Sequence, residues 1–313
     1  MRLRVPLLVL LAVVCVIGVP MTTTLARFTS SAASTGSFAA DTLAPPTTVA
    51  ATGGGTVTLT WIASADTYAT GYGIWRSATS GSGYVLVSSV TPRTTITATD
   101  SPGAGTWYYV VRTTFQSWTS ANSNEATAVV TATSTTYAAC VTTLADSTGA
   151  GDNNGYQTTP ANSCQSNNVY AVDTDSGTST LATCGTGAVP EATKDRHRFY
   201  GFVTGLPGTA AHVDGIRVQA DLKVDTVASG TTTLCAQLSW DAGTTWTTIK
   251  TQAITVAAET SYVFGATNDT WGHTWTPTEL NTTNFRVRLI DASTIATRDF
   301  SLDYLAVSVT YAP

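Results

Sequence analysis

The 313-residue sequence has little charge, almost no lysine and no stretch of helical periodicity. Asp, Glu, Lys and Arg together make up 11% of it, and lysine occurs only at 194, 223 and 250. Basic runs are missing, which argues against a nucleic-acid or anionic-membrane partner. No long segment repeats apolar residues at helical spacing, so almost no helix is expected beyond the N-terminal segment. There is no Gly-x-Ser-x-Gly elbow and no phosphate loop. The glutamates Glu125, Glu191, Glu259 and Glu279 sit apart in unrelated segments, so no paired-carboxylate glycosidase is announced by spacing. His197, His212 and His273 are scattered, and no two cysteines have zinc-knuckle spacing. His212 stands beside Asp214 as a surface pair at a strand start rather than as a catalytic dyad. Recognisable catalytic machinery is absent, and the expectation is a non-enzyme.

What is present begins with an export signal. Met1-Arg2-Leu3-Arg4 is charged, Val5 to Val19 is apolar almost throughout, and Thr24-Leu25-Ala26 offers small residues at a cleavage spacing. The alternative is an uncleaved membrane anchor over residues 5–21, bracketed by Pro6 and Pro20. In both readings the chain after Ala26 lies outside the cytoplasm, extracellular or on the cell surface. Without Arg2 and Arg4 the balance is 13 basic against 20 acidic residues, a net charge of −7. Cys15 belongs to the signal. Cys140, Cys164, Cys184 and Cys235 remain, all in the C-terminal half. In an oxidising compartment they predict two disulfides, with three connectivities open.

Four segments follow from composition and pattern: 1–26 as signal or anchor helix, 27–43 as a Ser/Ala/Thr/Gly spacer, and two β-domains at 44–132 and 133–313. The spacer resembles the start of mature fibre-forming surface proteins through Ala26-Arg27-Phe28-Thr29, Gly36-Ser37-Phe38 and Thr42-Leu43. That resemblance implies a strand donated within a polymer.

In the first domain, short strands are expected at Val57–Trp61, Tyr72–Arg76, Tyr84–Val87, Trp107–Thr113 and Ala126–Val130, with Gly/Ser turns between them. Leu59-Thr60-Trp61, Gly71-Tyr72-Gly73-Ile74-Trp75-Arg76-Ser77, Trp107-Tyr108-Tyr109-Val110-Val111-Arg112 and Ser123-Asn124-Glu125 resemble a bacterial fibronectin type III domain. The resemblance implies a sandwich with Trp61 in the core, used as spacer or binding module. Trp107 stands where the family has a tyrosine whose hydroxyl ties down a loop corner; an indole has one donor and a different shape. Strand alternation sends Tyr72, Ile74, Trp107, Tyr109 and Val111 inward. Trp75, Tyr108, Val110 and Arg112 then share an outer face as a candidate binding surface. A self-contained ladder is the alternative role for those four.

In the second domain, Ile216, Val218, Ala220, Leu222 and Val224 alternate with Arg217, Gln219, Asp221, Lys223 and Asp225, the pattern of a half-buried strand. Further strands are expected at Phe199–Val203, Thr233–Trp240, Phe285–Ile290 and Phe300–Tyr311, the last with a bulge near Tyr304. A jelly-roll-like antiparallel sandwich accommodates them, making the chain all-β. Leu238–Trp246, Asp269–Gly272, Asn284–Arg288 and Arg298–Asp303 resemble C-terminal domains of bacterial surface and secreted proteins. That resemblance implies Cys184–Cys235 as a pair, leaving Cys140 and Cys164 for each other. Ser239, Asp241, Gly243 and Trp246 have the spacing of an Asp-box turn, which occurs once and so implies no propeller. Asp173, Asp175 and Asp152 are calcium candidates, although the later ligands of an EF-hand loop are missing. No other cofactor is expected. The expected partner is a surface glycan or a protein ligand. The readings left are an adhesive or scaffolding surface protein, a carbohydrate-binding protein of extracellular glycan breakdown, and a fibre subunit.

Overall fold

The computed structural model describes residues 42–145, 154–175, 183–192 and 194–312. The expected signal, nearly all of the spacer and Asp152 lie outside them. Among the described residues no helix is long and apolar enough to cross a membrane. The fold is β throughout, with two short 3-10 turns at Pro160–Ser163 and Pro277–Glu279.

Eight strands build the first sandwich: β1 (Thr47–Thr52), β2 (Val57–Ile62), β3 (Gly71–Ser77), β4 (Val85–Val90), β5 (Thr97–Asp100), β6 (Gly105–Phe115), β7 (Trp118–Thr119) and β8 (Ala126–Val130). One sheet is β1-β2-β5; the other is β4-β3-β6, with β7 and β8 also pairing β6. The alternation of Val57, Leu59 and Trp61 with Thr58, Thr60 and Ile62 turns one face of β2 inward. Trp61 meets Tyr72 edge to face at 5.3 Å in the core, with Val49, Ile74, Tyr109 and Val111 around them. Each such apolar side chain contributes about 1.5–3 kcal/mol by leaving water.

The second sandwich is larger. Its strands are β9 (Thr133–Ser134), β10 (Ala138–Ala139), β11 (Thr142–Ala145), β12 (Ala171–Asp173), β13 (Gly185–Thr186), β14 (Val189–Pro190), β15 (Asp195–Tyr200), β16 (His212–Val224), β17 (Thr232–Ser239), β18 (Lys250–Ala253), β19 (Thr260–Phe264), β20 (Arg286–Ser293) and β21 (Phe300–Ala312). One sheet runs β10-β21-β16-β19, with β9 and β12 also on β21; the facing sheet runs β11-β15-β20-β17-β18. Ile216, Val218, Ala220, Leu222 and Val224 all enter the core between them. The register of β21 slips between Asp221 opposite Tyr304 and Leu222 opposite Leu302, so Asp303 is the extra residue. That bulge lets Phe300 and Leu302 face the same core as Leu305, Val307 and Val309.

One strand begins earlier than its hydrophobic pattern indicates. Expected at Phe199–Val203, it runs Asp195–Tyr200. Inward-facing Asp195 and His197 interrupt the apolar alternation, and Gly201, at φ 83°, ends the strand. The cysteines form Cys140–Cys164 and Cys184–Cys235.

The two sandwiches belong to one compact unit. Two residues separate β8 from β9, and Ala312 of β21 packs into the first core. Asp214 Oδ1 accepts the Ala104 amide at 2.9 Å and lies 3.1 Å from His212 Nδ1. Close approach here needs Gly103, because a Cβ would sit 2.7 Å from Asp214 Oδ1 and 2.9 Å from His212. The same glycine's carbonyl accepts Trp107 Nε1 at 2.8 Å. The indole therefore ties its loop back four residues upstream.

Candidate functional site

Trp75, Tyr108, Val110 and Arg112 share the outer face of the β3–β6 pair, with Trp75 directly opposite Val110 and Ser77 opposite Tyr108. Val110, though on that face, is only 2% exposed and so offers little surface to a ligand. Arg112 lies over the Trp75 ring at 4.1 Å and donates from Nε to Asn122 Oδ1 at 2.7 Å. The Trp75 indole nitrogen is itself buried and makes no hydrogen bond. The exposed aromatic side chains of this sandwich are instead Trp118, 58% accessible in the β6–β7 hairpin, and Tyr68, 45% accessible; hydrophobic pattern gave no signal for them.

Charge in the second sandwich is gathered in two places. Inside, Asp195 and Asp291 face each other across β15 and β20, and Asp173 at the end of β12 joins them fully buried. Asp195 Oδ1 accepts the Asn154 and Gly155 amides at 2.6 and 3.0 Å. Tyr156 donates its phenol to Asp291 Oδ1 at 3.2 Å. Burial first, and then the Asp195 charge, push the Asp291 carboxyl well above the usual range, while hydrogen bonds to Tyr156 and Asp173 hold it down. A hydrogen bond between two carboxyl groups requires a proton on one of them. Burial and the same three carboxylates raise the Tyr156 phenol. The Tyr156 amide donates to His197 Nδ1 at 3.2 Å.

Of the calcium candidates, Asp173 and Asp175 are described and lie in different surroundings. Asp173 points into this buried cluster while Asp175 is exposed, its amide bonded to Asp299. Among the described residues no group of three or more His, Cys, Asp or Glu is placed to hold a metal ion.

The second gathering lies on the outer face of β11-β15-β20-β17. Phe199, Val287, Leu289, Leu234, Ala236 and Leu238 point into the core. Alternation sends Arg196, Arg198 and Tyr200, and Arg286 and Arg288, to the other side. Register sets Tyr200 opposite Arg286 and Arg198 opposite Arg288, with Thr142 and Leu144 beside them. Arg286 lies over the Tyr200 ring at 4.4 Å, and Arg288 over Trp246 at 3.7 Å. Arg288 also donates to Gln237 Oε1 at 3.0 Å.

Trp246 is brought there by the Asp-box turn. Asp241 Oδ1 accepts the Thr244 and Thr245 amides, Ser239 Oγ accepts the Gly243 amide, and Trp246 Nε1 donates to Gly243 O. Burial raises the Asp241 carboxyl, but hydrogen bonds from Thr245, Ser239 and Thr244 outweigh it and hold the group below its usual range. The turn thus fixes a ring beneath an arginine. A cavity of about 170 Å³ opens beside it, lined by Leu144, Arg198, Tyr200, Ala242 and Arg286. A wider cleft of about 500 Å³ beside β17 and β18 is lined by threonines and small apolar residues, among them Thr232, Thr255, Val227 and Ile254. It offers no charged or aromatic group for recognition.

No protein-family profile matches the chain, and no curated protein matches it. Solved structures do. A Fn3-like protein from Clostridium thermocellum is 31% identical over 28% of this chain and 93% of its own, with a TM-score of 0.26. The FN1–FN3 domains of chicken CNTN1 are 11% identical over 82% of this chain and 65% of theirs, with a TM-score of 0.25. The CBM22-1–GH10 modules of the Clostridium thermocellum endo-1,4-β-D-xylanase 10B, complexed with xylohexaose, are 16% identical over 46% of this chain and 25% of theirs, with a TM-score of 0.24. At such low TM-scores these likenesses carry no argument about function. The described fold is predominantly β, built of antiparallel sheets.

Proposed function

We propose that this chain is a non-enzymatic exported protein that binds an extracellular ligand, with a fibronectin type III module at 44–132 and a jelly-roll-like binding sandwich at 133–313. One observation carries this reading. The carboxyl groups that the fold brings together, Asp173, Asp195 and Asp291, are sealed inside the second sandwich, where no substrate reaches them. The side chains gathered at its surface are arginines and aromatics, which bind without turning over. Two disulfides in this half support an oxidising, extracellular setting. Adhesion and scaffolding both follow from a rigid pair of sandwiches presenting one such surface.

Carbohydrate binding is the second reading, favoured by the Tyr200–Arg286–Trp246 surface. The test is a glycan array probed with the purified protein, run beside turnover assays on polysaccharides, sialosides and esters. Retention on the array without turnover is the expected result. Turnover abolished by a single Asp or Glu substitution would sink the non-enzymatic reading. Edman sequencing of exported protein, with a first residue at or near Arg27, tests the signal; an intact N-terminus in a membrane fraction assigns it as an anchor.

A further inference from the structure

We infer that the β6–β7 hairpin tip of the first sandwich binds a neutral polysaccharide, with the Trp118 indole stacked on a sugar ring and the Gln116 amide bonded to its hydroxyls. This inference rests on the carbohydrate-binding reading above and gives it a site on the module at 44–132.

One tryptophan is unlike the rest. Trp61 and Trp275 are buried in the two cores. Trp75, Trp107, Trp246 and Trp271 each have a cation over the ring, from Arg112, Arg76, Arg288 and Lys250. Trp240 lies flat on His273 at 3.8 Å. Trp118 is 58% exposed, and among the described residues no ring or cation stacks on it. Phe115 stands directly opposite Trp118 in the hairpin register, which puts both side chains on one face. Tyr68, 45% exposed, meets Phe115 edge to face at 5.3 Å. Three aromatic side chains therefore adjoin at one end of the sandwich.

Their setting is rigid and uncharged. Residues 113–119 read Thr-Thr-Phe-Gln-Ser-Trp-Thr and residues 67–71 Thr-Tyr-Ala-Thr-Gly, without a charge in either. The Thr70 amide and hydroxyl both donate to Thr114 O, at 2.9 and 3.0 Å. The Ser120 amide donates to Thr113 O at 3.0 Å, and Ser120 Oγ accepts the Thr113 amide at 2.9 Å. The strands beneath the tip are thus tied down, and an indole held there loses little freedom when it binds. Gln116 is a second sign. It sits at φ 51°, where glycine would be less strained, yet the position keeps an exposed amide side chain. An amide offers donors and an acceptor together, which is what a pair of sugar hydroxyls requires. The exposed Ser117 and Thr119 add hydroxyls beside it.

These features choose the occupant. A pyranose ring presents C–H groups on its faces and hydroxyls around its rim, matching an aromatic face bordered by polar groups. An acidic glycan or a nucleic acid finds no cation in either segment. A stable protein interface draws on roughly 20–30 residues a side, more than a hairpin tip with two connecting residues supplies. Membrane surfaces are met by Trp and Tyr in company with Lys or Arg, which both segments lack.

Isothermal titration with xylan, hydroxyethylcellulose and polygalacturonate, and co-sedimentation with phosphatidylcholine vesicles, test the inference. At least one of the two neutral polymers is expected to bind, equally at low and high salt. Polygalacturonate and vesicles are expected not to. Trp118→Ala should weaken binding at least tenfold, whereas Val85→Ala, which trims a 65% exposed side chain on β4, should leave it unchanged. Gln116→Gly is the sharper variant: it relieves backbone strain, so the protein should melt higher while its affinity falls several-fold. Circular dichroism of each variant separates lost binding from lost fold. Unchanged affinity in Trp118→Ala overturns the site and leaves the carbohydrate reading standing. Vesicle binding or self-association abolished by Trp118→Ala assigns the tip to a membrane surface or to a second copy, and either result overturns the inference. Binding of neither neutral polymer also overturns it, and an array that retains no glycan removes the carbohydrate reading with it.

Discussion

The two sandwiches use the same ingredients, tryptophan, tyrosine and arginine on the outside of a sheet, and arrive at opposite surfaces. In the first, Arg112 stacks on Trp75 and is tied to Asn122, and Val110 is only 2% exposed. In the second, Arg286 and Arg198 flank a cavity, and the rings beneath them are held by neighbouring strands and by the Asp-box turn. The interiors differ as well. The polar side chains that the first sandwich buries are all uncharged, Ser64, Ser77, Thr113 and Ser120, and its described residues include no cysteine. The second buries four carboxyl groups, Asp173, Asp195, Asp291 and Asp303, and carries two disulfides.

The largest expected effect breaks the comparison of interiors. Reduction should destabilise the second sandwich and spare the first. Closing loops of sequence separation 51 and 24 is worth about 4 and about 3.5 kcal/mol by chain entropy. Scanning calorimetry with and without reductant checks this, and an equal shift of both cores would show them to be one folding unit.

Next comes the pH dependence of the buried acids. Asp291 keeps its proton in the folded state at pH values where an unfolded aspartate has lost it. The folded state then binds more protons, so stability is full below the ordinary carboxyl range and declines as pH rises through the raised pKa. The slope is about 1.4 kcal/mol per pH unit for one proton. Asp291→Asn removes the titrating group and should flatten that slope. A melting profile against pH that is already flat in the unmodified protein would count against a protonated Asp291.

Two smaller effects concern the first sandwich. Trp107→Phe removes the donor to Gly103 O, at a cost of about 1 kcal/mol. Gly103→Ala drives Asp214 off the Ala104 amide, so proteolysis between the sandwiches should accelerate while each core keeps its own protection. Smallest of all is Arg112→Gln, which loses a cation–π contact worth about 0.5–1 kcal/mol. If the stripe is a closed ladder, that variant melts slightly lower and keeps every binding activity.

Much of the fold was legible in the sequence because alternation survives wherever one sheet face is apolar. Ile216 to Val224 announced most of β16, which starts earlier, at His212, and Trp61 and Tyr72 announced the first core. The bulge in β21 was visible as a phase change in the same pattern. Where polar groups turn inward, pattern fails: Asp195 and His197 concealed the first half of β15. The acid cluster draws on positions 173, 195 and 291, which only strand pairing brings together. The arginine face was hidden for a related reason. Arg196, Arg198, Arg286 and Arg288 look like the polar half of two ordinary strands until register sets them side by side. Val110 points outward as alternation indicates but is only 2% exposed, since alternation gives a direction and says nothing about what lies above.

The Gly103 corner has a mechanical consequence. Its carbonyl is claimed by Trp107 of the first sandwich, while the next amide is claimed by Asp214 of the second. With only two residues joining β8 to β9, there is no slack to take up. A tug on one sandwich reaches the other as torque through a bolted joint, and the arginine face keeps a fixed bearing on the module that carries it.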